Sequence, residues 1–181
     1  MTQLHSIGEL FALLERCADF YDSLDEDGDP LPVLDHGLQC AALLADQFPN
    51  DEELQVAGLV HDVGHRIAHG ESAAHGVIAA DAVRDLLGER VAALVELHVP
   101  AKRYLVTVDP AYREVLSDGS TISLSRQGGE LSAEERATLE ANPHLADSLV
   151  LRRCDEQAKD PDAVVDGLDR WRPVVERVAA R

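Results

Sequence analysis

The amino-acid sequence predicts an all-α fold, and three observations support this prediction. Apolar residues recur at helical spacing along most of the chain, and no two neighbouring segments alternate in the way that paired strands would. The sequence is 45% apolar but only 4% aromatic, which indicates a core of Leu, Val and Ala. A chain of 181 residues fits one domain. We therefore expect residues 1–181 to form a single domain of packed helices.

The first two helices are predicted from a capping pattern and from prolines. Ser6 and Glu9 have the spacing of a capping box, and an apolar stripe follows them. The acidic run over residues 22–29 is typical of a loop, because it lacks apolar periodicity and ends in prolines. A second helix should begin near Pro32 and end before Pro49.

Three more helices are expected before the middle of the chain. Asn50 or Asp51 can cap the third helix. Gly88 should end the fourth helix, and Pro100 should break the fifth. The third helix is expected to run into His61, the fourth to extend from Glu71 to Leu87, and the fifth from Glu89 to His98.

The second half of the chain predicts shorter helices separated by turn residues. Ser132 and Glu135 repeat the capping-box spacing, and Gly128-Gly129 predicts a loop. Pro143 can occupy the first turn of a helix that reaches Asp155. The predicted segments are residues 101–116, in short pieces around Pro110, then 120–126, 132–140, 143–155 and 164–178.

The charge of the chain argues against two classes of partner. Its 16 basic and 34 acidic residues give a formal net charge of −18. A surface this acidic would repel nucleic-acid phosphates and anionic lipid. We therefore expect neither nucleic acid nor a membrane as a main partner, and the oligomeric state stays open.

Cysteine usage and the absence of targeting patterns predict a soluble, cytoplasmic protein. Cys17, Cys40 and Cys154 are odd in number and widely separated, so we expect reduced thiols rather than disulfides. The N-terminal residues do not resemble a signal peptide. No apolar stretch approaches the roughly 18 residues of a membrane span.

The adjacent pair His61-Asp62 is the first indication of chemistry. It offers a metal one imidazole nitrogen and one carboxylate oxygen from neighbouring positions. On one helix the two side chains would lie about 100° apart, so both can reach one centre only at a junction between helices. Further candidate ligands lie on other predicted helices: His36, His75, His98 and Asp155. Helical bundles build metal sites from side chains that converge in this way.

Each candidate ligand, taken alone, has a simpler explanation. A histidine on a helix can be hydrogen-bonded within the core, and Asp155 can pair with a neighbouring arginine. These explanations are less convincing for all six candidates together, because each candidate lies at a ligand position of one known family pattern. Four imidazoles and two carboxylates suit iron, manganese, cobalt or zinc, whereas copper(I) and iron–sulfur clusters prefer thiolates. His5, His69 and His144 are expected to be ordinary surface or loop residues.

The order of His36, His61-Asp62 and Asp155 resembles the ligand pattern of the HD-domain superfamily, whose members are all-helical metalloenzymes and mostly phosphohydrolases. The resemblance implies an HD-domain helical bundle with its metal site between helices. It assigns a first metal to His36, His61, Asp62 and Asp155. His75 and His98 imply a second metal, with Asp62 bridging the two. Two histidines and one carboxylate form the ligand set of non-haem iron oxygenases, so oxygen chemistry is implied alongside hydrolysis.

Five stretches carry a more specific resemblance, to the PhnZ-like oxygenases of this superfamily, which are distantly similar to myo-inositol oxygenase. They are residues 34–41, 59–65, 98–105, 120–129 and 151–159, within a motif-bearing core of about 34–159. The resemblance implies a mixed-valence Fe(II)/Fe(III) pair, with manganese, cobalt or zinc as alternatives. It also implies that dioxygen cleaves the carbon–phosphorus bond of a small 1-hydroxyalkylphosphonate, such as a 2-amino-1-hydroxyethylphosphonate-like substrate, and releases phosphate.

The same resemblance implies substrate contacts, residue by residue. His65 and Lys102 would touch the substrate and, together with Asp62, take part in catalysis. The groups that would hold the phosphonate are Ser120, Ser123 and Arg152. The position of His65, four residues after His61, predicts that both lie on one helix face. The two cations and two hydroxyls suit a dianion, although without the resemblance Lys102 and Arg152 would be assigned to surface charge balance.

One part of the chain departs from that family. PhnZ-like oxygenases carry a tyrosine and a glutamate shortly before the first histidine, on a loop that closes over the site. Here Glu26 belongs to a longer acidic, proline-containing segment that extends over residues 22–32, and Tyr21 directly precedes it. An acidic segment at this place would attract a cationic group on the substrate.

Two other functions are compatible with the sequence. A metal-dependent phosphohydrolase acting on a nucleotide or another phosphate ester would use the same ligands, with a bridging hydroxide as its nucleophile. A non-catalytic HD domain would bind a ligand or partner, but such a domain need not retain all six ligands. Oxygen uptake distinguishes the oxygenase from the phosphohydrolase.

Overall fold

The computed structural model describes residues 3–22, 31–69 and 73–181, and within them the only regular structure is α-helical. The helices are α1 (Ile7–Glu15), α2 (Val33–Gln47), α3 (Glu52–Val60), α4 (Val63–Ile67), α5 (His75–Leu87), α6 (Glu89–Val108), α7 (Pro110–Glu114), α8 (Asp118–Arg126), α9 (Ala133–Glu140), α10 (Leu145–Gln157) and α11 (Leu168–Ala179). The all-α prediction is confirmed.

Capping side chains begin several helices where the sequence predicts them. The Ser6 hydroxyl accepts the Glu9 backbone N–H at 3.2 Å, and Asp51 caps α3 in the same way at 3.1 Å. Ser132 and Glu135 form a complete capping box at α9. Each cap supplies an acceptor to an N–H group that has no partner inside its own helix.

The predicted break at Pro100 is wrong, because α6 continues through this proline to Val108. Proline removes the N–H that would otherwise bond the carbonyl of Glu96 inside the helix. The turns on both sides are held by buried residues such as Val95 and Leu105. These contacts offset the roughly 3 kcal/mol cost of proline inside a helix.

Two helix starts differ from prediction. Pro143 precedes α10 instead of lying in its first turn, because the Asn142 side chain accepts the His144 backbone N–H at 2.9 Å and forms a separate turn. The last helix begins at Leu168 rather than Val164, which is 98% exposed and has no apolar contact to hold it.

A break and a new helix separate α3 from α5. The third predicted helix ends at Val60, and the short α4 follows where no helix was predicted. The predicted start at Glu71 lies outside the described residues, and α5 begins at His75. Gly88 ends α5 as expected, with a φ of +87° that favours glycine.

The core lies where α2, α3, α5, α6 and α10 pack together, and α1 and α11 cover one side of it. Apart from His61, its largest fully buried side chains are aliphatic, for example Leu44, Val56, Leu94 and Leu151. The three cysteines are free and buried. Among the described residues, no helix is long and apolar enough to cross a membrane.

Candidate metal centre

Side chains from five parts of the chain converge between the core helices. His36 comes from α2, His75 begins α5, His98 lies in α6 and Asp155 lies in α10. The pair His61-Asp62 occupies the junction between α3 and α4, where His61 ends one helix and Asp62 precedes the next. Adjacent residues on one helix lie about 100° apart, so such a junction is needed for His61 and Asp62 to reach one centre.

The carboxylate of Asp62 faces two separate pairs of imidazoles. Its Oδ2 lies 3.5 Å from His36 Nε2 and 3.3 Å from His61 Nε2. Its Oδ1 lies 3.2 Å from His75 Nε2 and 3.4 Å from His98 Nε2. Each oxygen therefore belongs to a different group of potential ligands, and both groups can hold a metal ion.

Asp155 joins only one of the two groups. Its Oδ1 lies 3.2 Å from His36 Nε2, and its Oδ2 lies 3.7 Å from His61 Nε2. We define the first group as His36, His61, Asp62 and Asp155, and the second group as His75, His98 and Asp62. The first group can offer four ligands, whereas the second offers three and leaves more positions for other molecules.

The hydrogen bonds of the imidazole rings favour a cation between their Nε2 atoms. The Nδ1 atoms of His36, His61 and His98 lie 2.8, 2.8 and 2.6 Å from backbone carbonyl oxygens. A neutral ring that donates through Nδ1 has only a lone pair on Nε2. The Nε2 atoms of His36 and His61 nevertheless lie 3.2 Å apart, too close for two unshared lone pairs.

The separations between ligand atoms fit metal coordination. Two ligands that each bind at about 2.1 Å lie roughly 3.0–3.4 Å apart when the angle between them is 90–109°. The distances around Asp62 run from 3.2 to 3.5 Å. Nitrogen and carboxylate donors of this kind suit iron, manganese, cobalt or zinc.

The electrostatics of the centre favour positive charge in the first group. Burial opposes protonation of His36 and His61, but the carboxylates of Asp155 and Asp62 outweigh it and raise the pKa of both rings. Burial also opposes ionisation of Asp62, yet the adjacent imidazoles hold its pKa well below the usual range. In the second group, burial lowers the pKa of His98 to about 4.

Glycines bring the helices that carry the ligands into close contact. A Cβ on Gly64 would lie 2.0 Å from the carbonyl oxygen of His75, and a Cβ on Gly37 would lie 2.5 Å from that of Leu59. Backbone atoms cannot move aside as a flexible side chain can. The positions of α4 against α5 and of α2 against α3 therefore depend on these glycines.

The structure also places the predicted substrate-binding residues around the centre. Lys102 is buried, and its Nζ donates to Ser123 Oγ at 2.8 Å. Burial, assisted by the charge of Arg152, lowers the pKa of Lys102 to about 7. Arg152 contacts Asp155 and donates to Ser120 Oγ at 3.0 Å. All of these groups lie on α6, α8 and α10.

His65 reaches the centre, but not for the predicted reason. The helix that carries His61 ends there, so His65 lies on α4 and the two residues do not share a helix face. The ring of His65 instead stacks on His75, with centroids 3.9 Å apart and planes inclined by 21°. The three histidines set aside as ordinary are exposed or half-buried and belong to neither group.

Three side chains that contact Arg152 or Ser120 were not predicted from the sequence. Tyr112 accepts a hydrogen bond from Arg152 Nε at 2.6 Å, and Glu156 accepts one from Arg152 Nη2. Lys159 Nζ lies 2.8 Å from Ser120 Oγ. Glu156 and Lys159 follow Arg152 by four and seven residues, so helical spacing could have identified them. Nothing in the local sequence indicates Tyr112.

A small pocket borders the first group. It is lined by Asp22, Leu31, Val33, His36 and Asp62. Tyr21, at the edge of the acidic segment, is exposed, and Glu26 lies outside the described residues.

Comparison with known proteins supports this architecture. The HD-domain family profile matches residues 33–148. The chain is 33% identical to the [1-hydroxy-2-(trimethylamino)ethyl]phosphonate dioxygenase (glycine-betaine-forming) of Leisingera caerulea, over 83% of this chain and 81% of that protein. It is 31% identical to the hydroxymethylphosphonate dioxygenase of Gimesia maris, over 90% and 87%. A shorter match, 33% identical over 33% of this chain and 19% of the relative, joins it to a probable inositol oxygenase of Oryza sativa subsp. japonica.

Proposed function

The chain belongs to the HD-domain family, in the branch that includes these phosphonate dioxygenases, and we propose that it uses dioxygen to cleave the carbon–phosphorus bond of a small 1-hydroxyalkylphosphonate. Both relatives are named for oxidation of a phosphonate that carries a hydroxyl group on the carbon next to phosphorus. The two differ in what that carbon bears, so the substituent on this protein's substrate stays unassigned. We also propose that residues 1–181 form one domain, since α1 and α11 pack on the helices of the core.

The proposal rests on one observation, that the two carboxylate oxygens of Asp62 face different pairs of imidazoles. One oxygen faces His36 and His61, and the other faces His75 and His98. Such an arrangement suits two metal ions bridged by one carboxylate, with Asp155 completing the first group. The second group has the two-histidine, one-carboxylate composition of non-haem iron oxygenases. We therefore propose an iron pair in the Fe(II)/Fe(III) state, which supplies the redox chemistry with dioxygen when it is bound.

The overall reaction balances with one molecule of dioxygen. The substrate loses its C–H and C–P bonds, and the products are a carboxylic acid and phosphate. The acid retains the substrate hydroxyl oxygen and gains one oxygen atom, and phosphate gains the other. Carbon is oxidised and dioxygen is reduced, so no further reductant is required.

The residues around the centre have distinct roles in this proposal. The second group would leave positions open for the substrate hydroxyl and one phosphonate oxygen. Lys102 and Arg152 would bind the remaining phosphonate oxygens, with the hydroxyls of Ser120 and Ser123 beside them, because ammonium and guanidinium groups match a dianion. His65, which stacks on His75, would contact the substrate beside the second group. Burial of Lys102 and Arg152 strengthens these interactions by excluding water.

Oxygen uptake tests the proposal directly. Iron-loaded protein should consume dioxygen with a 1-hydroxyalkylphosphonate and release one phosphate for each dioxygen consumed. His75→Ala should abolish uptake, whereas replacement of the exposed His5 by alanine should have no effect. Electron paramagnetic resonance of partly oxidised protein should show a coupled mixed-valence pair.

One result would favour the rival phosphohydrolase. If iron-loaded protein consumes no dioxygen with any 1-hydroxyalkylphosphonate but hydrolyses nucleotides or other phosphate esters, the oxygenase assignment fails. A protein that binds metal and shows neither activity would favour a non-catalytic HD domain.

A further inference from the structure

A buried carboxylate lies behind the groups assigned to phosphonate binding. Glu156 follows Asp155 in α10, and its side chain is only 6% exposed. A second carboxylate near an anion-binding site has two costs, because burial removes its water and its charge repels the anion. Its presence there requires compensating contacts.

Three donors from two helices converge on Glu156. The backbone N–H of Ser117 donates to Oε1 at 2.7 Å, and the Ser120 hydroxyl donates to Oε2 at 2.7 Å. Arg152 Nη2 also donates to Oε2. One side chain therefore ties the first turn of α8 to the guanidinium group on α10.

The contacts of Glu156 fix the orientation of the Ser120 hydroxyl. Its proton goes to Glu156, while its oxygen lies 3.0 Å from Arg152 Nη2 and 2.8 Å from Lys159 Nζ. A serine hydroxyl has one proton and two lone pairs, so these contacts fix its orientation. Without the carboxylate, the two cations would repel each other across one neutral oxygen.

We propose that Glu156 is a positioning residue that, together with Ser120, holds Arg152 in the orientation that receives the phosphonate. It does not touch the reacting atoms and acts through Arg152. The inference rests on the proposed function, because it assumes that Arg152 binds the substrate.

Glu156→Gln tests the inference, because it removes the charge and keeps the shape. We expect the KM for a 1-hydroxyalkylphosphonate to rise roughly tenfold. The Kd of inorganic phosphate for the iron-loaded protein, measured by calorimetry, should rise by the same factor. The kcat should change by less than about twofold and the iron content should not change. Glu135→Gln, at the exposed capping box of α9, is the matched control and should leave the KM and the phosphate Kd unchanged.

Two results would overturn the inference. One is an unchanged KM and phosphate Kd in Glu156→Gln, even if the protein melts at a lower temperature. The other is tighter phosphate binding, which would mean that Glu156 only repels the anion. If Glu156→Gln folds poorly, Glu156→Asp keeps the charge on a shorter side chain and should show a smaller rise in both constants. A wild-type protein that is inactive with phosphonates refutes the proposed function, while the phosphate titrations still decide the role of Glu156.

Discussion

Replacing Gly64 by alanine should remove one of the two proposed metals and leave the other in place. The added Cβ would lie 2.0 Å from the carbonyl oxygen of His75 and 2.7 Å from its carbonyl carbon. An ordinary contact requires at least 3.4 Å, so the start of α5 would have to move by about 1.4 Å. His75 is the first residue of α5 and would move with it.

This movement is large compared with what coordination tolerates. His75 Nε2 lies 3.2 Å from Asp62 Oδ1 and 2.7 Å from His98 Nε2, and metal–ligand distances vary by only about 0.2 Å. The second group would therefore lose an imidazole, whereas no ligand of the first group lies on α5. We expect iron to fall from about two to about one per chain and oxygenase activity to fall by at least about 100-fold. The overpacking should also cost about 1–3 kcal/mol of stability.

Iron quantification and thermal unfolding of Gly64→Ala measure these effects. Gly8→Ala on α1 is the matched control, since the nearest atom to its Cβ would lie 3.9 Å away. His75→Ala provides a second comparison, because it removes the imidazole without moving α5. A Gly64→Ala protein that keeps both irons and the wild-type rate would refute the packing argument.

Three further predictions concern charge, hydrogen bonding and backbone conformation. The pKa of Lys102 is about 7, so its charged form is lost as the pH rises through 7. Phosphonate affinity measured by calorimetry should therefore weaken as the pH rises above 7, and this weakening should be absent in Lys102→Arg, whose guanidinium stays charged. Tyr112→Phe leaves Arg152 Nε without its acceptor and should cost about 1–3 kcal/mol in urea unfolding; no change would mean that water replaces the hydroxyl. Gly88→Ala places a side chain at a φ of +87° and should cost about 1–2 kcal/mol in the same assay, whereas an unchanged midpoint would contradict the assigned turn.

Local chemistry explains which parts of the fold could be predicted. The caps at Ser6, Asp51 and Ser132 depend on side chains a few residues from the N–H groups that they bind, so short sequence patterns identify them. The continuation of α6 through Pro100 has a different origin, since burial of its flanking residues outweighs a local preference. The break between α3 and α4 has no strong signature in the sequence either.

Some residues of the candidate site could also be predicted from the sequence, and others could not. The pair His61-Asp62 and its family resemblance indicate a metal centre from the sequence alone. Tyr112 could not be found in that way, because it lies forty residues before Arg152 in the chain and contacts it only through the packing of α7 near α10. His65 was assigned to the site for the wrong geometric reason, since the break after α3 places it on another helix.

By itself, the sequence determined the helical class, most helix starts and the types of side chain available for chemistry. These features depend on periodicity, on capping and on the identity of the donor atoms. Only the tertiary structure decided that the two oxygens of Asp62 face different imidazole pairs, and that Glu156 joins α8 to α10. The physical reason is that such distances depend on how closely helices approach, and contacts such as that of Gly64 with the His75 backbone set this approach.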